Sequence, residues 1–300
     1  MIKFSPITLD VKTEYERLLL DGKERGCGHS FANLFLWGEQ SIAFLYGYAV
    51  LFSRFGDRCM YPFPVGSGDI KPVLDAVLAD AEARGIPCRF IGMRPEDVQT
   101  LGTLYPGRFE CSGDRDYSDY VYDIEDLAEL RGRKYHRKRN HDHRFWEAFP
   151  NCAAVPLSEE NLPKAKALAE KWYADRLLED TEGEFDMERA ALEKALDHYE
   201  EMGLEGLVLL NGTDVLALTL GSRLSPDTFD VHFEKAGRDV EGAYTAINRA
   251  FARYIRDKHP EIRFLNREED MGLEGLRSAK ESYYPHHLLE KWRACAEPED

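Results

Sequence analysis

The feature that most constrains the fold of this chain is an order of apolar and turn-forming segments that occurs twice. In the second half, two helix-like segments lead to a strand pair in which Asn211-Gly212 predicts a β-hairpin. The segments after this hairpin alternate between strand and helix patterns. They are TFDVHFEKAG (strand), EGAYTAINRAFARYIRDK (helix), IRFLN (strand) and GLEGLRSAKES (helix).

The first half has the same order of helices, three-strand meander, helix, strand and helix, with its meander in SIAFLY, YAVLFSRF and RCMYPFPV. This order predicts an α/β (α+β) fold in which mixed sheets are flanked by helices. The junction between the halves lies near residues 125 to 130. We therefore predict two domains, residues 1–127 and residues 128–300.

Composition places the chain among globular proteins. Its residues are 43% hydrophobic and 12% aromatic, and no run approaches the roughly 20 apolar residues of a membrane span. The N-terminus MIKFSPITLD lacks the pattern of a signal peptide. The six cysteines form no Cys-x-x-Cys pair, so neither a zinc site nor a disulfide framework is predicted. We expect a cytoplasmic protein without an integral membrane segment.

The charge of the chain is large and unevenly spread. A formal net charge of −16 argues against a general nucleic-acid binder, because such binding depends on neutralising phosphates with Lys and Arg. The segment RGRKYHRKRNHDHR, residues 131–144, nevertheless holds seven Lys/Arg and three His against one Asp. We favour anion binding by this helix, and the alternative is a solvated face that offsets acidic helices elsewhere. A metal site at its histidines is not predicted.

Five segments carry a resemblance to a known family. They are FANLFLW (31–37), RGRKYHRKRNHDHRF (131–145), HFEKA (232–236), GAYTAINRAFA (242–252) and NREEDMGLEGLRSAKESYYP (266–285). Together they resemble the soluble relatives of the phosphatidylglycerol lysyltransferase C-terminal domain. The resemblance implies two GNAT-type acyltransferase folds in tandem, an architecture shared with Fem-type peptidyltransferases that take amino acids from aminoacyl-tRNA.

The third strand of the second half offers the candidate chemistry. Its alternation puts Asp230, His232 and Glu234 on one face. Acyl transfer to an amine needs a base that takes a proton from the attacking nitrogen, and Glu234 or His232 is the candidate for this role. The alternative is that both pair with Arg277 or Lys280 and only join the strand to a helix.

A second group of residues is predicted to bind substrate or an anion. Asn266 to Asp270 leave the carboxyl end of a strand, where open α/β sheets bind ligands. Arg267 and Lys280 are cations left over when Glu274, Arg277 and Glu281 form a ladder of ion pairs on the last helix, whose Leu273 and Leu276 are expected to face the core. The predicted set is Lys138, Arg139, Lys235, Gly242, Tyr244, Asn248, Asn266, Arg267, Asp270, Arg277 and Lys280.

The donor has two candidates. An acyl-CoA would bind where Gly242 and Ala243 open a helix, because free N–H groups there favour an anion, but Arg238 in KAGRDVEGAY stands one residue too far from Gly242 for the GNAT loop pattern. The resemblance points to aminoacyl-tRNA as the donor, and the basic segment at residues 131–144 is a concentrated patch that could hold its acceptor stem. We therefore favour this donor, with an amine or hydroxyl acceptor and no covalently bound cofactor. The alternative function is a non-catalytic anion-binding module that keeps the fold.

Overall fold

The computed structural model describes residues 1–21, 26–38, 40–55, 58–177 and 184–296. The chain divides into two compact units. The first consists of Met1–Tyr120, Glu268–Ser278 and Leu288–Asp300, and the second of Val121–Arg267 and Ala279–His287.

The regular elements of the N-terminal part are β1 (Ser5–Pro6), α1 (Lys12–Asp21), α2 (Phe31–Leu36), β2 (Gln40–Leu45), β3 (Tyr48–Phe55), β4 (Arg58–Pro62), β5 (Val65–Gly66), α3 (Lys71–Arg84), β6 (Arg89–Met93), α4 (Pro95–Leu104) and β7 (Phe109–Gly113). They are followed by β8 (Asp119–Asp123), α5 (Ile124–Glu129), α6 (His136–Ala148), β9 (Cys152–Pro156), α7 (Leu162–Leu177), α8 (Glu184–Asp197), β10 (Glu205–Asn211), β11 (Asp214–Arg223), β12 (Thr228–Ala236), α9 (Ala243–Lys258), β13 (Phe264–Asn266), α10 (Glu274–Glu281), β14 (His287–Leu289) and β15 (Trp292–Ala296).

Within the described residues the first sheet has eight strands, in the order β1-β2-β3-β4-β6-β15-β7 with β5 beside β3. The pair β4 and β6 is parallel, and the other pairs of known register are antiparallel. Helix α3 packs its apolar side, including Val73 and Val77, on the buried aromatic rings of Tyr61, Phe63 and Phe90. The meander and its crossover helix therefore bury one shared core.

The second sheet has the order β14-β8-β13-β12-β11-β10-β9 among the described residues. β10, β11 and β12 form an antiparallel meander, whereas β12 and β13 are parallel and are connected through α9. Helix α9 buries Ile247, Phe251 and Ile255, which recur at helical spacing. Because α9 is the crossover between β12 and β13, side chains from all three elements meet near the carboxyl ends of these strands.

The predicted element order is confirmed in both halves, and so is the class of two mixed sheets flanked by helices. The division into domains 1–127 and 128–300 stays a prediction. The packing does not follow a single boundary, because two later segments, Glu268–Ser278 and Leu288–Asp300, belong to the first unit. The second of them contains β15, which pairs with β6 and β7 in the first sheet. The second unit, Val121–Arg267 and Ala279–His287, therefore lies in sequence between the neighbouring strands β7 and β15.

One expected core position is wrong. Leu273 is 47% exposed, because it ends a turn closed by its own N–H on the carbonyl oxygen of Asp270, and α10 begins only at the next residue. Leu276, the second leucine expected in the core, is half-buried.

Replacing Gly242 with alanine is expected to lower the free energy of unfolding by about 2 kcal/mol or more. Gly242 has a φ of 80°, and a Cβ there would collide with the backbone carbonyl of His141 on α6. Chemical denaturation followed by circular dichroism measures the change. Gly275→Ala is the control, because no atom lies within 4 Å of its added Cβ; an equal loss in both variants would contradict the packing argument.

Candidate active site

The centre of the candidate site is the carboxylate of Glu234 on β12. Its Oε1 accepts a hydrogen bond from Arg267 Nη2 at 3.0 Å, and its Oε2 accepts one from Asn248 Nδ2 at 3.1 Å. Asn248 lies on α9 and Arg267 follows β13, so the parallel pair and its crossover helix bring the three together. The Arg267 and Glu234 side chains are 14% and 11% exposed, which makes their ion pair largely desolvated.

Two polar atoms of this cluster have no partner among the described residues. They are Arg267 Nη1, a donor, and Asn248 Oδ1, an acceptor, and both are buried. Their orientation follows from Glu234, because a carboxylate only accepts, so the Asn248 amide nitrogen faces Glu234 and its oxygen faces away. Since buried polar groups are normally hydrogen-bonded, the pair is suited to a ligand that both accepts and donates.

Lys138 of α6 adds an amine to the same cluster. Its Nζ lies 3.6 Å from the ring centroid of Tyr283, and the Arg267 guanidinium lies 4.9 Å from the same centroid. Burial, together with the positive charge of Arg267, lowers the pKa of Lys138 to about 8. Glu234, Arg267, Asn248, Lys138 and Tyr283 are called the β12 cluster below. Sequence reasoning named all of these except Tyr283.

The second predicted base, His232, has other partners. Its Nε2 lies 2.8 Å from Ser222 Oγ on β11, and its Nδ1 lies 3.6 Å from Asp230 Oδ2. The His232 and Asp230 side chains are both fully buried. Glu234 binds Arg267 and Asn248 rather than the Arg277 or Lys280 of the alternative expected from the sequence.

Lys280 supports the backbone at Arg267, and Asn266 immediately precedes Arg267 in sequence. Lys280 Nζ donates to the carbonyl oxygen of Arg267, and Lys280 is 9% exposed. Asn266 is buried at the end of β13. Arg267 and Lys280 are therefore not the uncommitted cations that the sequence suggested, because one binds Glu234 and the other binds main chain.

Three further predicted residues of the second unit, Arg139, Lys235 and Tyr244, contact residues outside the β12 cluster. Arg139 donates to the carbonyl oxygens of Leu130 and Gly132, which fixes the loop before α6. Lys235 is buried, pairs with Glu188 at 2.6 Å and lies 3.9 Å from the Trp172 ring centroid. Tyr244 accepts a hydrogen bond from Trp172 Nε1 at 3.0 Å. Arg139 and Lys235 thus serve local structure in these contacts.

Asp270 and Arg277 form a cluster of their own in the first unit. The Arg277 guanidinium makes two 2.9 Å bonds to Asp270 and a 2.6 Å bond to Asp116. Tyr120 also donates to Asp270, at 2.5 Å. The hydrogen bond from Arg277 is the main reason that the pKa of Asp270 lies far below its usual value. The predicted ladder with Glu274 and Glu281 is wrong, because Arg277 binds Asp270 and Asp116 instead.

Sequence reasoning missed a buried cluster in the first unit. Cys27, Asp119 and Glu269 bring ligand atoms of a metal-binding type within 4.8 Å of one another. The Lys291 ammonium contacts all three, at 2.5 Å from Asp119, 2.9 Å from Glu269 and 3.2 Å from Cys27 Sγ. The cluster therefore carries its own cation. Its members are far apart in sequence and share no motif, so no sequence signal pointed to it.

The loop after β12 lines a cavity of about 500 Å³ in the second unit. The residues that line it are Lys164, Ala167, Leu168, Lys171, Trp172, Asp175, Thr213, Asp214, Val215, Leu216, Gly237, Arg238, Asp239 and Val240. This is the loop in which the sequence suggested a phosphate-binding pattern.

Among the described helices, none combines the length and apolarity that crossing a membrane requires.

The two mixed sheets, each with a meander and a crossover helix, define a tandem GNAT-type fold. A tandem GNAT protein from the clavulanic acid biosynthesis pathway superposes with a TM-score of 0.50 at 10% identity, covering 99% of both chains. The chain belongs to the family described as phosphatidylglycerol lysyltransferase, C-terminal, whose model matches residues 21–295. The expected resemblance is thereby confirmed.

Two further solved structures are similar over nearly the whole chain. A conserved protein of unknown function from Bacteroides thetaiotaomicron VPI-5482 is 35% identical, with a TM-score of 0.94 and coverage of 99% of this chain and 100% of that one. L-PGS from Bacillus licheniformis is 16% identical, with a TM-score of 0.70 and coverage of 96% and 92%. The second likeness shows the fold alone. A search of curated protein sequences finds no significant match.

Proposed function

We propose that this protein transfers an aminoacyl group from aminoacyl-tRNA to an amine or hydroxyl acceptor. The observation that carries the proposal is the unpartnered pair of the β12 cluster, Arg267 Nη1 and Asn248 Oδ1. An aminoacyl ester has a carbonyl oxygen that accepts from Arg267 and an α-amino group that donates to Asn248. A simple acyl group has no such donor and would leave Asn248 Oδ1 buried without a partner, which costs affinity.

The charge of the cluster supports the same chemistry. Arg267 and Glu234 balance each other, and Lys138 in its charged form adds a positive charge. Acyl transfer passes through a tetrahedral intermediate whose carbonyl oxygen becomes negative, and fixed donors stabilise that charge. A guanidinium that is already held by Glu234 needs no reorientation when the oxyanion develops.

The choice of tRNA as donor rests on the family and on the basic segment before and within α6. The family is described by lysyl transfer, and Arg131, Arg133 and Arg137 of this segment are exposed. Exposed arginines on a chain of net charge −16 make one local site for phosphates.

The six free cysteines fit the reducing cytoplasm, where we propose that the protein acts.

Arg267→Lys tests the binding of the acyl group. Lysine keeps the charge but lacks the planar guanidinium, whose several N–H groups can bind Glu234 and the carbonyl oxygen of the aminoacyl ester at the same time. We therefore expect the rate of transfer from aminoacyl-tRNA to fall by about 100-fold. Arg223→Lys is the matched control, since Arg223 is paired with Glu261 on an exposed surface. The assay follows loss of a radiolabelled amino acid from charged tRNA with a panel of amine and hydroxyl acceptors. Equal rates for both variants would contradict the assignment.

Acyl-CoA is the alternative donor, because the loop Gly237–Val240 lines a cavity together with Lys164 and Lys171. Binding of charged tRNA, acetyl-CoA and longer acyl-CoAs is compared at about 50 and about 200 mM salt. Aminoacyl-tRNA binding that weakens steeply with salt supports the proposal. Acyl-CoA binding without tRNA binding would move the function to CoA-dependent acylation, and anion binding without turnover of any donor would identify a non-catalytic module.

A further inference from the structure

Lys138 differs from the other cations of α6 in its surroundings. Lys134, just before α6, and Arg144, on α6, pair with Asp126 and Glu241 at exposed positions. Lys138 is partly buried over the Tyr283 ring, and no described carboxylate lies within ion-pairing distance of it. A lysine without a carboxylate partner in a desolvated site has little to hold its proton.

The charged and titratable groups around Lys138 come from four elements. Arg267, after β13, is permanently charged and repels the ammonium, whereas Glu234 on β12 attracts it. The Glu234 charge is already shared between Arg267 and Asn248. Tyr283, after α10, presents its ring to the amine, and Asp142 on α6 is paired with Arg249 at 2.6 Å. Burial and Arg267 outweigh Glu234 and lower the pKa of Lys138 to about 8, so the neutral amine is more accessible than in an ordinary lysine.

We infer that Lys138 is the proton acceptor of the transfer proposed above, because its amine and the guanidinium of Arg267, which would bind the acyl group, both contact the Tyr283 ring. Glu234 is less suited to this role, since both of its oxygens accept hydrogen bonds from protein groups. The inference rests on the proposed function. It assigns to Lys138 a role that a permanent cation cannot fill.

In the proposed reaction Lys138 takes one proton from the acceptor and returns one to the leaving donor oxygen. The acceptor's N–H or O–H proton passes to the lone pair of Lys138 Nζ while the acceptor atom bonds to the acyl carbon. The bond between that carbon and the donor oxygen then breaks, and the donor oxygen leaves with a proton returned by the Lys138 ammonium. No oxidant, metal or further reactant is needed.

Lys138→Arg separates proton transfer from anion binding, because arginine keeps the charge and stays protonated at all working pH values. We expect kcat to fall by about 100-fold or more with little change in KM. In the wild-type protein kcat should rise with pH up to about 8, since the neutral amine is the active form, and this limb should vanish in the variant. Lys194→Arg is the control, as burial also lowers the pKa of Lys194 on α8. A Lys138→Arg protein with wild-type kcat and pH profile would overturn the inference.

A second measurement does not depend on turnover. Competitive acetylation of the folded protein with acetic anhydride, read by mass spectrometry across pH, reports the titration of each lysine amine. Lys138 should titrate near 8, well below the usual value of about 10.4. An ordinary midpoint would overturn the role of Lys138 while leaving aminoacyl transfer in place. Absence of transfer from every donor would instead reject the proposed function, and the proton-transfer role with it.

Discussion

Lys291→Met is expected to lower the free energy of unfolding by about 3–5 kcal/mol at neutral pH. The Lys291 ammonium is in contact with Asp119, Glu269 and Cys27, and the Asp119 side chain is fully buried. Methionine fills a similar volume but leaves two carboxylates in a desolvated site without a cation. Urea denaturation followed by circular dichroism measures the loss.

The pH dependence of this loss gives an independent check. Burial by itself raises the pKa of Glu269, but the charge and hydrogen bond of Lys291 outweigh it and hold that pKa below its usual value. A lowered folded-state pKa contributes stability above the unfolded value of about 4.3 that is lost as pH falls through the folded value. The deficit of Lys291→Met should therefore be largest near neutral pH and shrink in acid.

Lys12→Met is the matched control for the lysine substitution. Lys12 also pairs with a carboxylate, Glu16, at 2.9 Å, but the two side chains are 23% and 37% exposed. Such a pair contributes about 0.3–0.5 kcal/mol. A Lys291→Met protein no less stable than the Lys12→Met protein would show that the buried cluster does not depend on its cation.

Glu234→Gln is expected to reduce kcat/KM of the proposed transfer by about 100-fold or more. The carboxylate of Glu234 accepts from Arg267 and from Asn248, one hydrogen bond on each oxygen. A glutamine amide has a single oxygen, so one of these donors faces the amide nitrogen and must turn away. Both groups proposed to bind the acyl group depend on that carboxylate for their orientation.

Glu205→Gln is the control for Glu234→Gln, because it makes the same change in size and charge at another site. Glu205 also binds two partners, Lys258 at 2.7 Å and His259 at 2.6 Å, but it lies on β10 and contributes nothing to the β12 cluster. Steady-state rates with charged tRNA compare the two proteins, and Glu205→Gln should keep kcat/KM within about threefold of wild type. Unchanged turnover in Glu234→Gln would remove this residue from the mechanism.

Local patterns in the sequence were sufficient to predict the sheets and helices. Asn211-Gly212 predicted the β10–β11 hairpin, and Asn211 pairs with Asp214 across it while Gly212 adopts a φ of 62°. The spacing of apolar residues in AYTAINRAFARYI predicted α9 with its buried face. These signals succeed because a turn or a helix face depends on residues close together in sequence.

Among the predicted site residues, the sequence named Glu234, Asn248, Arg267 and Lys138 but not their contacts. The structure brings these four together, and their roles as functional residues stay predictions. Asp270 and Arg277, named beside them, belong to an ion-pair cluster in the first unit. Proximity along NREEDMG therefore did not predict proximity in space, because consecutive residues of that segment contact different elements.

The sequence by itself determined the order of elements, the mixed character of both sheets and the family. Only the tertiary structure decided that β15 lies between β6 and β7, that Lys291 pairs with Asp119 and Glu269, and that Lys138 and Arg267 both contact the Tyr283 ring. Periodicity and turn chemistry are properties of neighbouring residues, whereas most of these pairings join residues more than a hundred positions apart, such as Lys291 with Asp119 and Lys138 with Tyr283. Such pairings depend on burial and charge compensation, which exist only once the chain has folded.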